Sequence, residues 1–304
     1  MNFQQTAESL PALLADKHPV DFHAMIKPAG STCNLGCDYC FYLSKATLPD
    51  GPGCRRMSEE TLETLVRSYI RDVTADEVVF TWQGGEPTLR GLDFFRKAVA
   101  LQRKYARPGQ TILNDLQTNG TLLDEDWCRF LAENDFLVGL SIDGPQHLHD
   151  AFRKAKDGSP TFQKVMRAAR LLERFGVPFN TLTSVNRVNA AHPLAVYRFL
   201  RDELGSTHIQ FTPVVEPRDF ERTGPPLEGG SDLPGNDDPR ARPGHPDSIV
   251  TDWSVDPEGW GTFLCTVFDE WREHDLGRVL VNQFETVGMH DHPGFPVRDP
   301  EIVL

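Results

Sequence analysis

The chain has 304 residues, 39% of them hydrophobic, which is enough for one large domain or two small ones with a sizeable core. Its 31 Lys and Arg against 44 Asp and Glu give a formal net charge of −13, a balance that discourages non-specific attraction to nucleic acid or anionic lipid. No apolar run approaches the roughly 20 residues that span a bilayer, and MNFQQTAESLPALLADKHPV has no basic stretch followed by an apolar core, so a cytoplasmic protein with no nucleic-acid or membrane partner is expected.

Residues 1–20 read as an N-terminal extension. From residue 21 onward, β-rich runs alternate with amphipathic stretches, the pattern of repeated βα units and of a parallel sheet. Strands are predicted at 23–28, 77–83, 111–117, 137–143, 179–185 and 208–214. Helices are predicted over SEETLETLVRSYIRDV with Ser58 as N-cap, LDFFRKAVALQRKY, DEDWCRFLAEN with Asp124 as cap, TFQKVMRAARLLERFG closing at Gly176, and HPLAVYRFLRDEL. Six such units with right-handed crossovers define an α/β fold, a partial (βα)6 TIM-like barrel with its functional loops at the C-terminal ends of the strands. This core runs over 21–215. A Pro-, Gly- and Asp-rich loop or insert follows at 216–252, then a terminal helix and a short strand in RVLVNQFE at 253–290, and an irregular tail at 291–304.

Six cysteines without a secretion signal suggest metal ligands or thiols more than disulfides. Cys54, Cys128 and Cys265 are isolated and are read as local thiols. Cys33, Cys37 and Cys40 sit in one loop just after the first strand. Three thiolates at C-x3-C-x2-C wrap one face of a [4Fe-4S] cube and leave one iron open. The alternative is a zinc site, which needs a fourth ligand such as His23.

Three further motifs stand at strand ends. In Gln83-Gly84-Gly85-Glu86-Pro87 the glycines permit close backbone approach to a ligand and Glu86 offers a carboxylate to an ammonium group; alone it is a Gly-rich turn with a cap. Gln117-Thr118-Asn119-Gly120 is by itself a strand-to-turn signal. In Ser141-Ile142-Asp143-Gly144-Pro145 the two polar side chains share one face of the strand, suited to ligand contacts or to capping the turn. His147 and His149 read as surface histidines, since no metal spacing accompanies them.

Together, CNLGCDYC, QGGEPTL, LQTNGTLL and SIDGPQHLHDAFR resemble the radical S-adenosylmethionine superfamily, and within it the anaerobic sulfatase-maturating branch, over about residues 21 to 290. The resemblance implies that superfamily's partial barrel, and a [4Fe-4S] cluster on Cys33, Cys37 and Cys40 whose open iron chelates S-adenosylmethionine. Reductive cleavage then gives a 5'-deoxyadenosyl radical, and a Cys or Ser of a sulfatase is oxidised to formylglycine. It implies that Gly84, Gly85 and Glu86 bind the methionyl amine and that Ser141 and Arg153 contact the cofactor, Arg153 through the methionine carboxylate; Asp143, on the face of Ser141, joins them. Val214 would do so through its backbone, and Tyr39 at the adenine. The residue-level alternatives are that Tyr39 packs over the loop and that Arg153 is a surface cation paired with Asp150. Glu285 occupies the place of the family's base, which takes the proton of the substrate side chain, or is a solvated Glu. The implied partners are a sulfatase or other polypeptide and a reductant such as flavodoxin or ferredoxin. Relatives usually continue into a cysteine-rich SPASM domain, whereas no Cys follows residue 285 here. The alternatives are therefore radical chemistry on another peptide, or a truncated cluster-binding protein without turnover.

Overall fold

A computed structural model describes residues 22–42, 56–218, 234–235 and 237–284. Alternating elements build one parallel sheet: β1 (Ala24–Ile26), α1 (Glu59–Asp72), β2 (Glu77–Trp82), α2 (Leu92–Tyr105), β3 (Thr111–Thr118), α3 (Glu125–Glu133), β4 (Phe136–Ser141), α4 (Gln146–Phe152), α5 (Phe162–Phe175), β5 (Phe179–Val185), α6 (Arg187–Ala190), α7 (Pro193–Arg198), β6 (His208–Pro213), α8 (Pro257–His274) and β7 (Leu280–Val281). The strands lie in the order β1 to β7 and every pair is parallel. Among the described residues the sheet thus has seven strands, the predicted short C-terminal strand joining the six units by pairing Ile209 with Val281.

The period-two alternation of each strand separates two environments. Val78, Phe80 and Trp82 of β2 turn outward and pack with Leu62, Val66, Phe94 and Phe95 of α1 and α2. A second cluster joins Leu140, Val185, Ile209 and Phe211 to Val196, Phe263 and Val267 of α7 and α8. The opposite face of the strands is polar: Thr81 donates to Asp115 at 3.0 Å on the next strand, and Gln117 donates to Ser141 at 3.0 Å on the strand after it.

Local sequence explains the element ends. Ser58 accepts from the Thr61 N–H and Asp124 from the Trp127 N–H, while Gly176 closes α5 at φ 68. HPLAVYRFLRDEL divides into α7 and a π-turn over Phe199–Glu203. The helix α4 was not expected; it is short, starts after Pro145 and has no side-chain cap, so it carries no start signal. The two ends of the Pro-rich stretch are sewn together, Arg218 N–H to Ile249 O at 2.8 Å and Thr251 N–H to Glu216 O at 2.9 Å. Among the described residues no helix is long and apolar enough to cross a membrane.

Candidate functional site

The cysteine loop leaves β1 and is stitched on both sides. On one side Gly85 N–H donates to Gly30 O and Glu86 N–H to Thr32 O, both at 2.9 Å. On the other, Gly36 N–H reaches Lys154 O at 2.9 Å and Asp38 N–H reaches Phe152 O at 3.1 Å, so the loop also rests on the end of α4. Within it, Leu35, Cys37, Tyr39 and Val214 form a small buried cluster against which Cys33, Cys40, Phe152 and Trp253 pack. Burial pushes the Cys33 thiol up to about 11 and the Cys37 thiol to about 12, with smaller contributions from the neighbouring loop thiols. Uncharged thiols of this kind become ligands only by exchanging their protons, which are released to solvent, for a metal.

The Gln83–Pro87 turn differs from expectation in what its glycines approach. A Cβ on Gly85 would lie 2.2 Å from Thr32 O, and one on Gly84, which sits at φ 117, would lie 2.8 Å from Gly30 O. The close approach is to the chain's own backbone, just ahead of Cys33. Glu86 is wholly buried, and its carboxylate accepts from Thr88 N–H (3.0 Å), Thr88 Oγ1 (2.6 Å), Thr118 Oγ1 (2.8 Å) and Asn119 N–H (2.8 Å). Burial pushes its pKa up against those four donors, which pull it down. Instead of offering a free carboxylate to an ammonium group, Glu86 ties the turn to the end of β3.

A second buried cluster centres on Asp143. Its side chain is closed to solvent, accepts from the Tyr39 hydroxyl and from Ser184 N–H at 3.0 Å, and forms an ion pair with Arg153, Nε lying 2.9 Å from Oδ2. Asp143 therefore holds Tyr39 and Arg153 in place and is not open to a ligand itself. Arg153 pairs with Asp143 and not with Asp150, whose Oδ1 accepts from Thr161 N–H and Phe162 N–H at the start of α5. Its guanidinium also contacts Ser184 Oγ at 3.3 Å and lies 5.7 Å from the centre of the Tyr39 ring, which packs on Phe152.

His149 corrects the expectation of a surface histidine, because α4 rolls it completely into the interior. Its Nδ1 accepts from Asp143 N–H at 3.3 Å, and its Nε2 meets Thr161 Oγ1 at 3.1 Å, which in turn donates to Arg153 O at 2.6 Å. Burial, helped by Arg153, lowers its pKa to about 3, so the ring is neutral with its proton on Nε2.

The backbone of Val214 is occupied, its N–H by Val185 O and its carbonyl by Val255 N–H, so its side chain is what it presents to the cysteine loop. Ser141 is half-buried beside Gln117, whose carboxamide crosses Gly139; a Cβ there would come within 2.0 Å of Gln117 Oε1. Gln117, Ser184 and His149 were not singled out as site residues; Gln117 and His149 stand inside the quoted motifs, whereas no motif marks Ser184. Glu285 and Cys54 lie outside the described residues.

Soft thiolates gathered on one loop fit an iron-sulfur cluster. Among the described residues no three His, Cys, Asp or Glu side chains converge as a single metal ion requires. His23, the extra ligand a zinc site needs, is bonded instead to Thr81 Oγ1 at 2.7 Å. Such a loop at the C-terminal mouth of a parallel half-barrel defines an enzyme class that works through a metal cluster. The sequence model of the Radical SAM superfamily matches residues 28–200, and the chain belongs to that superfamily, whose defining cofactors are a [4Fe-4S] cluster and S-adenosylmethionine.

The chain is 44% identical over 90% of its length to a serine-type anaerobic sulfatase-maturating enzyme of Bacteroides thetaiotaomicron, covering 63% of that protein. It is 38% identical over 86% of its length to a cysteine-type enzyme of Clostridium perfringens, covering 64%. The solved structure of native anSMEcpe with bound AdoMet and Cp18Cys peptide superposes with a TM-score of 0.71 at 36% identity, covering 88% of this chain and 64% of that one. The chain thus spans less than two thirds of each.

Proposed function

We propose that this chain is the catalytic part of a radical S-adenosylmethionine oxidoreductase that converts a Cys or Ser of a sulfatase polypeptide to formylglycine. The observation that carries the reading is the cysteine loop itself, three thiols packed with Tyr39 and Val214 at the mouth of the half-barrel. Likeness to both serine-type and cysteine-type maturating enzymes supports the substrate class.

Cys33, Cys37 and Cys40 would hold three irons of the cluster. When bound, the cluster and S-adenosylmethionine supply a 5'-deoxyadenosyl radical that takes one hydrogen atom from the substrate's β-carbon. The chain's own residues orient and exclude. Arg153, fixed by Asp143, presents its guanidinium to a carboxylate. Ser141 and the backbone of the Gly84–Gly85 turn offer polar contacts, and Tyr39 closes one wall. Loss of that hydrogen atom to the deoxyadenosyl group, of the side-chain proton to a base and of one electron to an oxidised redox partner of the flavodoxin or ferredoxin class would turn the hydroxymethyl group of a serine into an aldehyde; the thiol of a cysteine would give a thioaldehyde, which water hydrolyses with release of hydrogen sulfide. Glu285 is the proposed acceptor of the proton. A flavodoxin or ferredoxin would supply electrons.

The test is anaerobic reconstitution with iron and sulfide, then dithionite, S-adenosylmethionine and a sulfatase peptide containing Ser or Cys. About four irons per chain, 5'-deoxyadenosine and a peptide aldehyde are expected. Cofactor cleavage with every sulfatase peptide left intact would sink the substrate assignment, and absence of cleavage would sink the chemistry.

A further inference from the structure

The Gln117–Gly120 turn, which taken alone reads as a strand-to-turn signal, reaches the cysteine loop. Asn119 is buried, and its Nδ2 lies 3.7 Å from Cys33 Sγ and 2.9 Å from Asn34 Oδ1. Which end of the carboxamide faces the sulfur is fixed chemically. Asn119 Oδ1 accepts from the Thr121 backbone N–H at 3.0 Å, a group that can only donate, so the amino end must point to Cys33.

The side chains close a ring. The Thr121 hydroxyl donates to Asn119 Oδ1 at 2.7 Å, Asn34 Nδ2 donates to the Thr121 hydroxyl at 2.8 Å, and Asn119 donates back to Asn34. One Nδ2 proton of Asn119 is thereby used within the ring, leaving the second for the sulfur. Glu86 anchors the backbone of Asn119, and Leu35 N–H gives Cys33 a second bond at 3.3 Å.

We propose that Asn119, oriented by Thr121 and Asn34, is a positioning residue that donates a hydrogen bond to the sulfur of Cys33 and thereby raises the reduction potential of the cluster held there. The inference rests on the proposed cluster. A donor to a ligating sulfur stabilises the more negative, reduced cluster more than the oxidised one. It would ease electron entry from a weaker reductant, and Asn119 needs no contact with substrate to do so.

The test is a reductive titration of the reconstituted full chain followed by electron paramagnetic resonance. Asn119→Ala should lower the midpoint, cutting the reduced-to-oxidised ratio at a fixed potential by up to about tenfold, equivalent to 59 mV for one electron. Thr121→Val, which breaks the ring without touching the sulfur, should shift it in the same direction, and Thr121→Ser should restore it. Unchanged midpoints in Asn119→Ala and Thr121→Val, with four irons retained, would overturn the inference and leave the proposed function standing. A wild-type chain that takes up no such cluster would defeat the proposed function instead.

Discussion

Arg153 Nε and Asp143 Oδ2 meet at 2.9 Å with both side chains shielded from solvent, Asp143 completely. The pair fastens the end of β4 to the end of α4, and through the Tyr39 hydroxyl it reaches the cysteine loop. Removing one charge strands the other in a dry site. Asp143→Asn is therefore expected to destabilise the folded chain by about 3–5 kcal/mol in urea unfolding. Replacing both partners together, Asp143→Leu with Arg153→Met, should lose less. Equal losses for the single and double variants would contradict the pairing.

His149 sets a pH dependence. Its folded pKa of about 3 lies below the 6.5 of the unfolded chain, so between these values the unfolded state binds a proton that the folded state refuses. Its penalty is absent above about pH 6.5 and grows as pH falls, by up to about 1.4 kcal/mol per unit. Urea unfolding at pH 7.5 and 5.5 should show a larger acid loss for the wild type than for His149→Asn. A nitrogen-15 spectrum should keep the Nε2–H tautomer across this range; a ring that titrates near pH 6 would refute the buried placement.

Two glycines with positive φ or tight surroundings separate strain from collision. Gly91 sits at φ 77, ψ 159 with nothing within 4 Å of an added Cβ, so Gly91→Ala should lose about 1–3 kcal/mol from backbone strain alone. Gly85→Ala drives a methyl group onto Thr32 O, and that oxygen belongs to backbone that cannot swing aside. It should lose more stability than Gly91→Ala and also take up less iron, because it lifts the cysteine loop off its support. Normal iron content in Gly85→Ala would show that the loop seats itself without the turn.

Cysteine substitutions should divide by location. Cys37→Ala is expected to abolish the brown colour of the reconstituted protein. Cys128→Ala, in the wholly buried core between α3 and its neighbours, should keep the iron and lose about 1 kcal/mol of stability from the small cavity. Iron retained by the first or lost by the second would move the cluster elsewhere.

The barrel was legible because its signals are local. LDFFRKAVALQRKY coincides with α2, and EVVFTWQ carries the alternation that puts Phe80 and Trp82 under the helices. The cysteine spacing and the strand-end motifs are signals of the same local kind. What remained hidden is the direction of side chains after the chain has folded. Gly85 announces a close approach but not which backbone approaches, and Glu86 reads alike whether it meets a ligand or four donors of its own chain. His149 lies in a mixed heptapeptide, QHLHDAF, and only the packing of α4 against α5, where the ring meets Phe162, turns it inward. The Asn34–Thr121–Asn119 ring joins two motifs 85 residues apart, a distance no sequence window spans.

The strict sequential order of the sheet has a consequence for how the chain is made. Each strand from β2 onward finds its hydrogen-bonding partner already emerged from the ribosome, so the sheet can grow in the direction of synthesis, at roughly 5–20 residues per second. Asp143 and Arg153 arrive long after the cysteines they help to hold, which leaves the loop thiols without that support in the nascent chain. Of the described strands, β7, two residues long and at the trailing edge, is the last to be made.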